Sequence, residues 1–139
     1  MAKKPNRIIG TAAKQGDLIK SQEPINYDSK PPIFSLEKLQ PGKYCLSILS
    51  QENKAMFADA IFRRKSLTWN QIKQLDKHGL GTEKIPKAQI KAPIPRFITD
   101  ELDHLLVFRY KGLHPMVGYR QRDVFFVLWF DHDFSLYSH

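Results

Sequence analysis

The stretch from Leu105 to Phe130 constrains this chain most. Three apolar segments, Leu105–Tyr110, Pro115–Arg120 and Val124–Phe130, are separated only by Lys111-Gly112-Leu113-His114 and Gln121-Arg122-Asp123. Connections this short join strands that are neighbours in space and run antiparallel. Val124–Phe130 is apolar at all seven positions. A strand without alternation is buried on both faces, so this one belongs in the middle of a sheet. Pro115 lacks a donor and is tolerable only at a strand start. After the turn Asp131-His132-Asp133, Phe134–Tyr137 reads as a last short strand.

Upstream, the period changes. In Lys43–Leu49, Tyr44, Leu46 and Ile48 alternate with Cys45, Ser47 and Leu49, which predicts a strand. From Asn53 to Arg64, the spacing of Met56, Phe57, Ala60 and Ile61 is one stripe of an amphipathic helix. Thr68-Trp69-Asn70-Gln71 has the form of a capping box. The helix it opens carries Trp69, Ile72 and Leu75 inward and stops at His78-Gly79. Residues 80–98 are a basic connector broken by Pro86, Pro93 and Pro95. The order β-α-α-β-β-β-β predicts an α+β fold. Two N-terminal helices pack on one face of a mainly antiparallel four- to five-stranded sheet.

Residues 1–42 hold five of the nine prolines and little periodic apolar pattern. They read as an extended arm, with residues 43–139 as a single α+β domain and Pro41-Gly42 as the boundary. Within the arm, Ile33-Phe34-Ser35-Leu36 is apolar enough to dock on the body.

Several function classes fall away at this level. The longest apolar run has seven residues, against about 20 for a membrane-spanning helix, so no membrane partner is expected. No apolar secretory core follows the basic Met1-Ala2-Lys3-Lys4-Pro5. The lone Cys45, read as buried in a strand, excludes an internal disulfide and a multi-cysteine zinc site, and a reducing cytoplasmic location is expected. There is no glycine-rich phosphate loop, no G-x-S-x-G elbow and no H-E-x-x-H. Asp131, His132, Asp133 and His139 fit no strong ligand spacing. No metal and no cofactor is expected.

Charge then narrows the partner. Lys and Arg number 22 against 14 acids, a formal +8. From Lys54 to Arg96 there are ten cationic residues and three acids, whereas Asp123–His139 carries three acids and no Lys or Arg. The expected basic face, Arg63, Arg64, Lys65, Lys73 and Lys77, suits a phosphate backbone. Arg109, Arg120 and Arg122 lie among Tyr110, Tyr119 and Tyr137, which reads as a sheet platform for single-stranded nucleic acid. Arg109 and Tyr119 are the nucleic-acid contacts chosen from it. RNA cleavage without metal needs a base for the 2′-hydroxyl, a cation for the phosphorane and an acid for the leaving oxygen. Arg, Tyr and His on neighbouring strands meet that need.

One short strand, two helices and a meander with Gly118-Tyr119-Arg120 ahead of Val124–Phe130 resemble the RelE/ParE-type toxin superfamily, over residues 43–139. Its members are small basic toxins of bacterial toxin–antitoxin modules. Many are mRNA endoribonucleases, and others poison gyrase. The resemblance implies a metal-independent endoribonuclease with an acidic antitoxin as partner and mRNA, on or off the ribosome, as substrate. By position it implies Arg120 as the phosphate-stabilising cation, Tyr137 or His139 as acid/base, and Arg122 beside them. The alternative is a non-catalytic nucleic-acid-binding or protein-interaction module, such as a phage or CRISPR-associated accessory protein.

Overall fold

A computed structural model describes residues 24–139. It is an α+β structure. A five-stranded mixed sheet has the order β1-β5-β4-β3-β2, built from β1 (Ile33–Ser35), β2 (Thr82–Pro86), β3 (His104–Lys111), β4 (His114–Gln121) and β5 (Val124–Phe130). Two helices, α1 (Gln51–Arg63) and α2 (Trp69–Lys73), lie between β1 and β2 in the chain. The β3–β4–β5 meander forms as its short turns dictate, with antiparallel pairing throughout.

The sheet is covered on both sides. On one face Phe108, Tyr110, Met116, Phe125, Val127 and Phe130 pack with Phe57, Ala60, Trp69 and Ile72 of the helices. On the other, Leu105, Val107, Val117, Leu128 and Trp129 pack under Ile90 and Ile98 of the connector and under Leu136 and Tyr137. The layered core therefore needs no third helix, because connector and C-terminal segment supply the second cover.

Helix α1 starts where Ser50 accepts the amide of Asn53 at 3.1 Å. The capping box of α2 is present in both directions, Gln71 N to Thr68 Oγ1 at 3.2 Å and Thr68 N to Gln71 Oε1 at 2.9 Å. But α2 ends at Lys73 rather than near His78. The Asp76 carbonyl accepts the amides of Gly79 and Gly81, and its carboxylate takes that of His78, so a turn replaces the last helical bonds. Leu75 is consequently exposed rather than buried.

Both terminal strand assignments are corrected. Lys43–Leu49 is not a strand. Leu46–Ile48 is a 3-10 turn, and Leu46 and Leu49, three residues apart, face the helix-side core. The alternation in this segment is outvoted by Gly42, whose φ of 104° turns the chain and whose carbonyl takes the Cys45 amide. Cys45 is half-buried at the start of that turn. The first strand is instead Ile33–Ser35, pairing in parallel with Val124–Phe126. That is the docking expected of Ile33-Phe34-Ser35. The rest of the arm expectation, residues 1–23, lies outside the described residues. Phe134–Tyr137 is not a strand either. Asp131 collects the amides of Ser135 and Leu136, and Leu136 O accepts Lys91 N at 2.8 Å, folding the segment back across the sheet. The fifth strand comes from the connector, where Thr82–Pro86 pairs with β3.

Gly118 is the tight point of the meander. A Cβ there would run into the carbonyl oxygen of Phe126. Opposite it, β5 carries an extra residue between Val127 and Trp129, and the carbonyl of Leu128 accepts Gln40 N at 3.0 Å. Among the described residues, no helix is long and apolar enough to cross a membrane.

Candidate active site

The site grows out of side-chain alternation on β3. Phe108 and Tyr110 point to the helices, so Arg109 points to the other face, beneath Tyr137. Its side chain is only 6% exposed. Nη2 donates to Glu83 Oε1 at 2.6 Å and Nη1 to the Tyr137 hydroxyl at 3.1 Å, while Nε has no partner. A buried cation with an unmet donor is costly and calls for an explanation. Glu83 also pairs with Lys77 Nζ at 3.6 Å. One carboxylate thus serves two cations, and the cluster keeps a net positive charge.

Beside Arg109, the C-terminal segment assembles an acid/base pair. The fully buried carboxylate of Asp131 receives the amides of Ser135 and Leu136, and His139 Nε2 lies 3.1 Å from its Oδ2. With Nε2–H donated to Asp131, the lone pair of His139 sits on Nδ1, free to take a proton. The rings of His139 and Tyr137 are 4.2 Å apart. Burial pushes the Tyr137 phenol above its ordinary range, and the hydrogen bond and charge of Arg109 pull part of the way back. Tyr137 therefore stays protonated at neutral pH and is fitted to donate.

These groups open on a cavity of about 290 Å³ walled by Lys77, His78, Arg109, Phe134, Tyr137 and His139, among others. A cation, a proton donor and a proton acceptor converge on one small space. That set is sufficient for acid/base cleavage of a phosphodiester.

Arg120 is not part of it. It pairs with Phe125 on β4 and so faces the helices. It stands five residues along from Pro115, the partner of Arg109, or about 17 Å at the rise of a strand. There its guanidinium lies over Trp69 at 4.1 Å and binds Asp28. Arg122, with φ 58°, is an exposed turn residue whose carbonyl accepts Arg120 Nε at 2.6 Å. The structure thus joins Tyr137 and His139 with Arg109, and places Arg120 on the opposite face and Arg122 in the turn between β4 and β5. Hairpin parity carries this signal: residues five apart on one strand fall on opposite faces. The sequence offers Asp131 beside His139 only as a weak metal-ligand spacing and does not mark Glu83; both join the site through folding.

The expected nucleic-acid contacts are also rearranged. Arg64 is 1% exposed and donates to the carbonyls of Ala60, Gly79, Leu80 and Arg109, so it is a buried strut and not a surface cation. Burial lowers its guanidinium to about 10, still charged at neutral pH. Arg63 pairs with Asp59 and Lys73 with Asp28, while Lys65 lies over the Phe62 ring. Lys77 is the helix-side cation that reaches the cavity. The Arg/Tyr sheet platform does not exist, because Tyr110 is buried against the helices and Arg109 and Tyr137 lie under cover. Tyr119 stacks on Phe126 at 5.0 Å, away from the site. A larger cavity of about 690 Å³ lies at the Tyr119–Arg120 end. Its cations Lys73 and Arg120 share the carboxylate of Asp28, and Lys84 is set against Glu101 and Asp103 in the same lining, so its charge is nearly balanced and the smaller cavity is the better candidate.

Asp131, His132 and Asp133 diverge: inward to the site, to the carbonyl of Lys43, and to Ser135 with Lys43. Among the described residues, no three His, Cys, Asp or Glu side chains gather as a metal set.

No family model, curated protein or solved structure matches this chain. The resemblance to the RelE/ParE-type superfamily therefore stays a reading of the sequence, carried by Gly118-Tyr119-Arg120 with Val124–Phe130; the opening and closing strands counted in it, Lys43–Leu49 and Phe134–Tyr137, do not form.

Proposed function

We propose that this chain is a RelE-like toxin of a toxin–antitoxin module, a metal-independent endoribonuclease that acts on mRNA in the cytoplasm and is held in check by an acidic antitoxin protein. The observation that carries the reading is the convergence of Arg109, Tyr137 and the Asp131-held His139 on one cavity. In the reaction, His139 Nδ1 takes the proton of a ribose 2′-hydroxyl. The 2′-oxygen attacks phosphorus, and Arg109 with Lys77 holds the charge that grows on the non-bridging oxygens. The Tyr137 hydroxyl, which accepts from Arg109, gives its own proton to the departing 5′-oxygen. The products are a 2′,3′-cyclic phosphate and a free 5′-hydroxyl.

The test is cleavage of single-stranded RNA by purified protein in excess chelator, with the new ends analysed, alongside growth arrest on induced expression. Cyclic phosphate ends, lost in His139→Ala and Tyr137→Phe at unchanged Tm, support the reading. Neither cleavage nor arrest, or full activity in both variants, overturns it. Salt-dependent binding of RNA without cleavage would favour the non-catalytic nucleic-acid-binding module instead.

A further inference from the structure

Phe134 is the residue whose placement the core does not explain. Its φ is 61°, in the left-handed region where a bulky side chain is a rare outlier. The residue is 40% exposed, so the strain is not offset by burial. Yet the ring is held in place, its centroid 4.3 Å from that of His114 and 5.0 Å from that of His139, whose ring stands nearly perpendicular to it. It forms part of the wall of the cavity, with the exposed side chain of Leu113.

The same wall holds Lys77 and the nine-tenths-buried Arg109, two cations that share the one carboxylate of Glu83. A space of about 290 Å³ walled by both cationic and aromatic side chains has the size and the lining for a single nucleotide. The phosphate takes the cations and the base takes the ring face, because every base has a π-face to stack. A protein partner is a poorer fit, since a space of this size takes one side chain or one nucleotide and not a broad contact. A base paired in a duplex already has both faces covered and cannot present one to Phe134.

We propose that Phe134 is a stacking platform for one unpaired nucleotide and so makes the site selective for single-stranded nucleic acid. The proposal rests on the endoribonuclease reading for its biological substrate, but its binding prediction stands apart from cleavage. A base on Phe134 brings its own sugar and phosphate to His139, Tyr137 and Arg109.

The probe is a short fluorescein-labelled 2′-deoxy oligonucleotide, which has no 2′-hydroxyl and is not cleaved, followed by fluorescence anisotropy. Phe134→Ala is expected to weaken binding roughly five- to a hundredfold, Phe134→Trp to restore it, and an oligonucleotide without bases to be insensitive to either change. Phe134→Gly relieves the backbone strain, so it keeps or raises Tm while losing affinity as Phe134→Ala does. A duplex of the same sequence should bind wild type weakly, with no dependence on residue 134. Equal affinity of wild type, Phe134→Ala and Phe134→Gly for the single strand overturns the proposal, even if RNA is cleaved and His139→Ala is inactive. Conversely, a ring-dependent single-strand affinity with no RNA cleavage keeps the stacking site and overturns the endoribonuclease reading.

Discussion

Asp28 Oδ1 lies 2.5 Å from Arg120 Nη2, and Asp28 Oδ2 lies 2.7 Å from Lys73 Nζ. One carboxylate on the segment before β1 thus ties the end of β4 to α2. Trp69, under the Arg120 guanidinium, donates its amide to Lys30 O and its indole N–H to Asp123 O. Arg120 is a fastener of the first described residues to the body.

Arg120→Ala is therefore expected to lower Tm while leaving RNA cleavage near wild type, the reverse of what its place in the sequence implies. Paired assays of melting and cleavage decide this. Loss of cleavage at unchanged Tm would return Arg120 to the chemistry.

The same latch has a pH signature. Lys73, then Arg120, holds the Asp28 carboxyl below its usual range. A group depressed in the folded state stabilises fully above its unfolded value near 3.8 and loses that contribution as pH falls through the folded value. Asp28→Asn should melt below wild type at pH 7, and the gap should close on acidification below about 3.8. Tm measured from pH 7 to pH 2 tests it. A gap that persists at the acid end assigns the loss to packing.

Arg64 is the strongest test of a buried cation used as a brace. Its guanidinium feeds four carbonyls and stacks over Phe108 at 4.9 Å. Arg64→Lys cannot span that fork, so it should cost about 2–4 kcal/mol, close to the loss in Arg64→Met. Denaturant unfolding measures both. A lysine variant as stable as wild type would show that charge alone suffices.

Gly118→Ala is expected to lose more than about 2 kcal/mol or to fail to fold, since its methyl group meets the Phe126 carbonyl inside a paired sheet. A neighbouring exposed change, Gln121→Ala, should be nearly silent in the same melts.

For the site itself, Arg109→Lys should slow cleavage about 10²–10³-fold and His139→Ala about 10²–10⁴-fold. Because burial raises the Tyr137 phenol, its acid form persists through neutral and mildly alkaline pH, so wild type should show no alkaline loss from this group there. A rate that falls near pH 9 and is insensitive to Tyr137→Phe would remove Tyr137 as the proton donor.

Some of this molecule is written locally. The capping box at Thr68, the helix stripe through Phe57 and Ala60, and the two short turns of the meander depend on contacts between near neighbours, and each is legible in the residues alone. The edge strands are not. Ile33–Ser35 is three residues long with Ile33 exposed, and Thr82–Pro86 contains Glu83, Lys84 and a proline. Neither has a period of its own, and each becomes a strand because a partner offers it hydrogen bonds.

The candidate site divides in the same way. The late Tyr and His residues and the clustered arginines are visible as composition, and they point to phosphate chemistry. Which arginine joins Tyr137 and His139 is decided by what covers each face of the sheet. Helices α1 and α2 cover the Arg120 face. The C-terminal segment, folded back by the Asp131 carboxylate, covers the Arg109 face and carries Tyr137 and His139 with it. The sequence by itself determined the meander and the capped start of α2, because those follow from local periodicity and residue type. Only the tertiary structure decided which residues meet, because a strand's alternation sets two faces apart without saying which one the rest of the chain will cover.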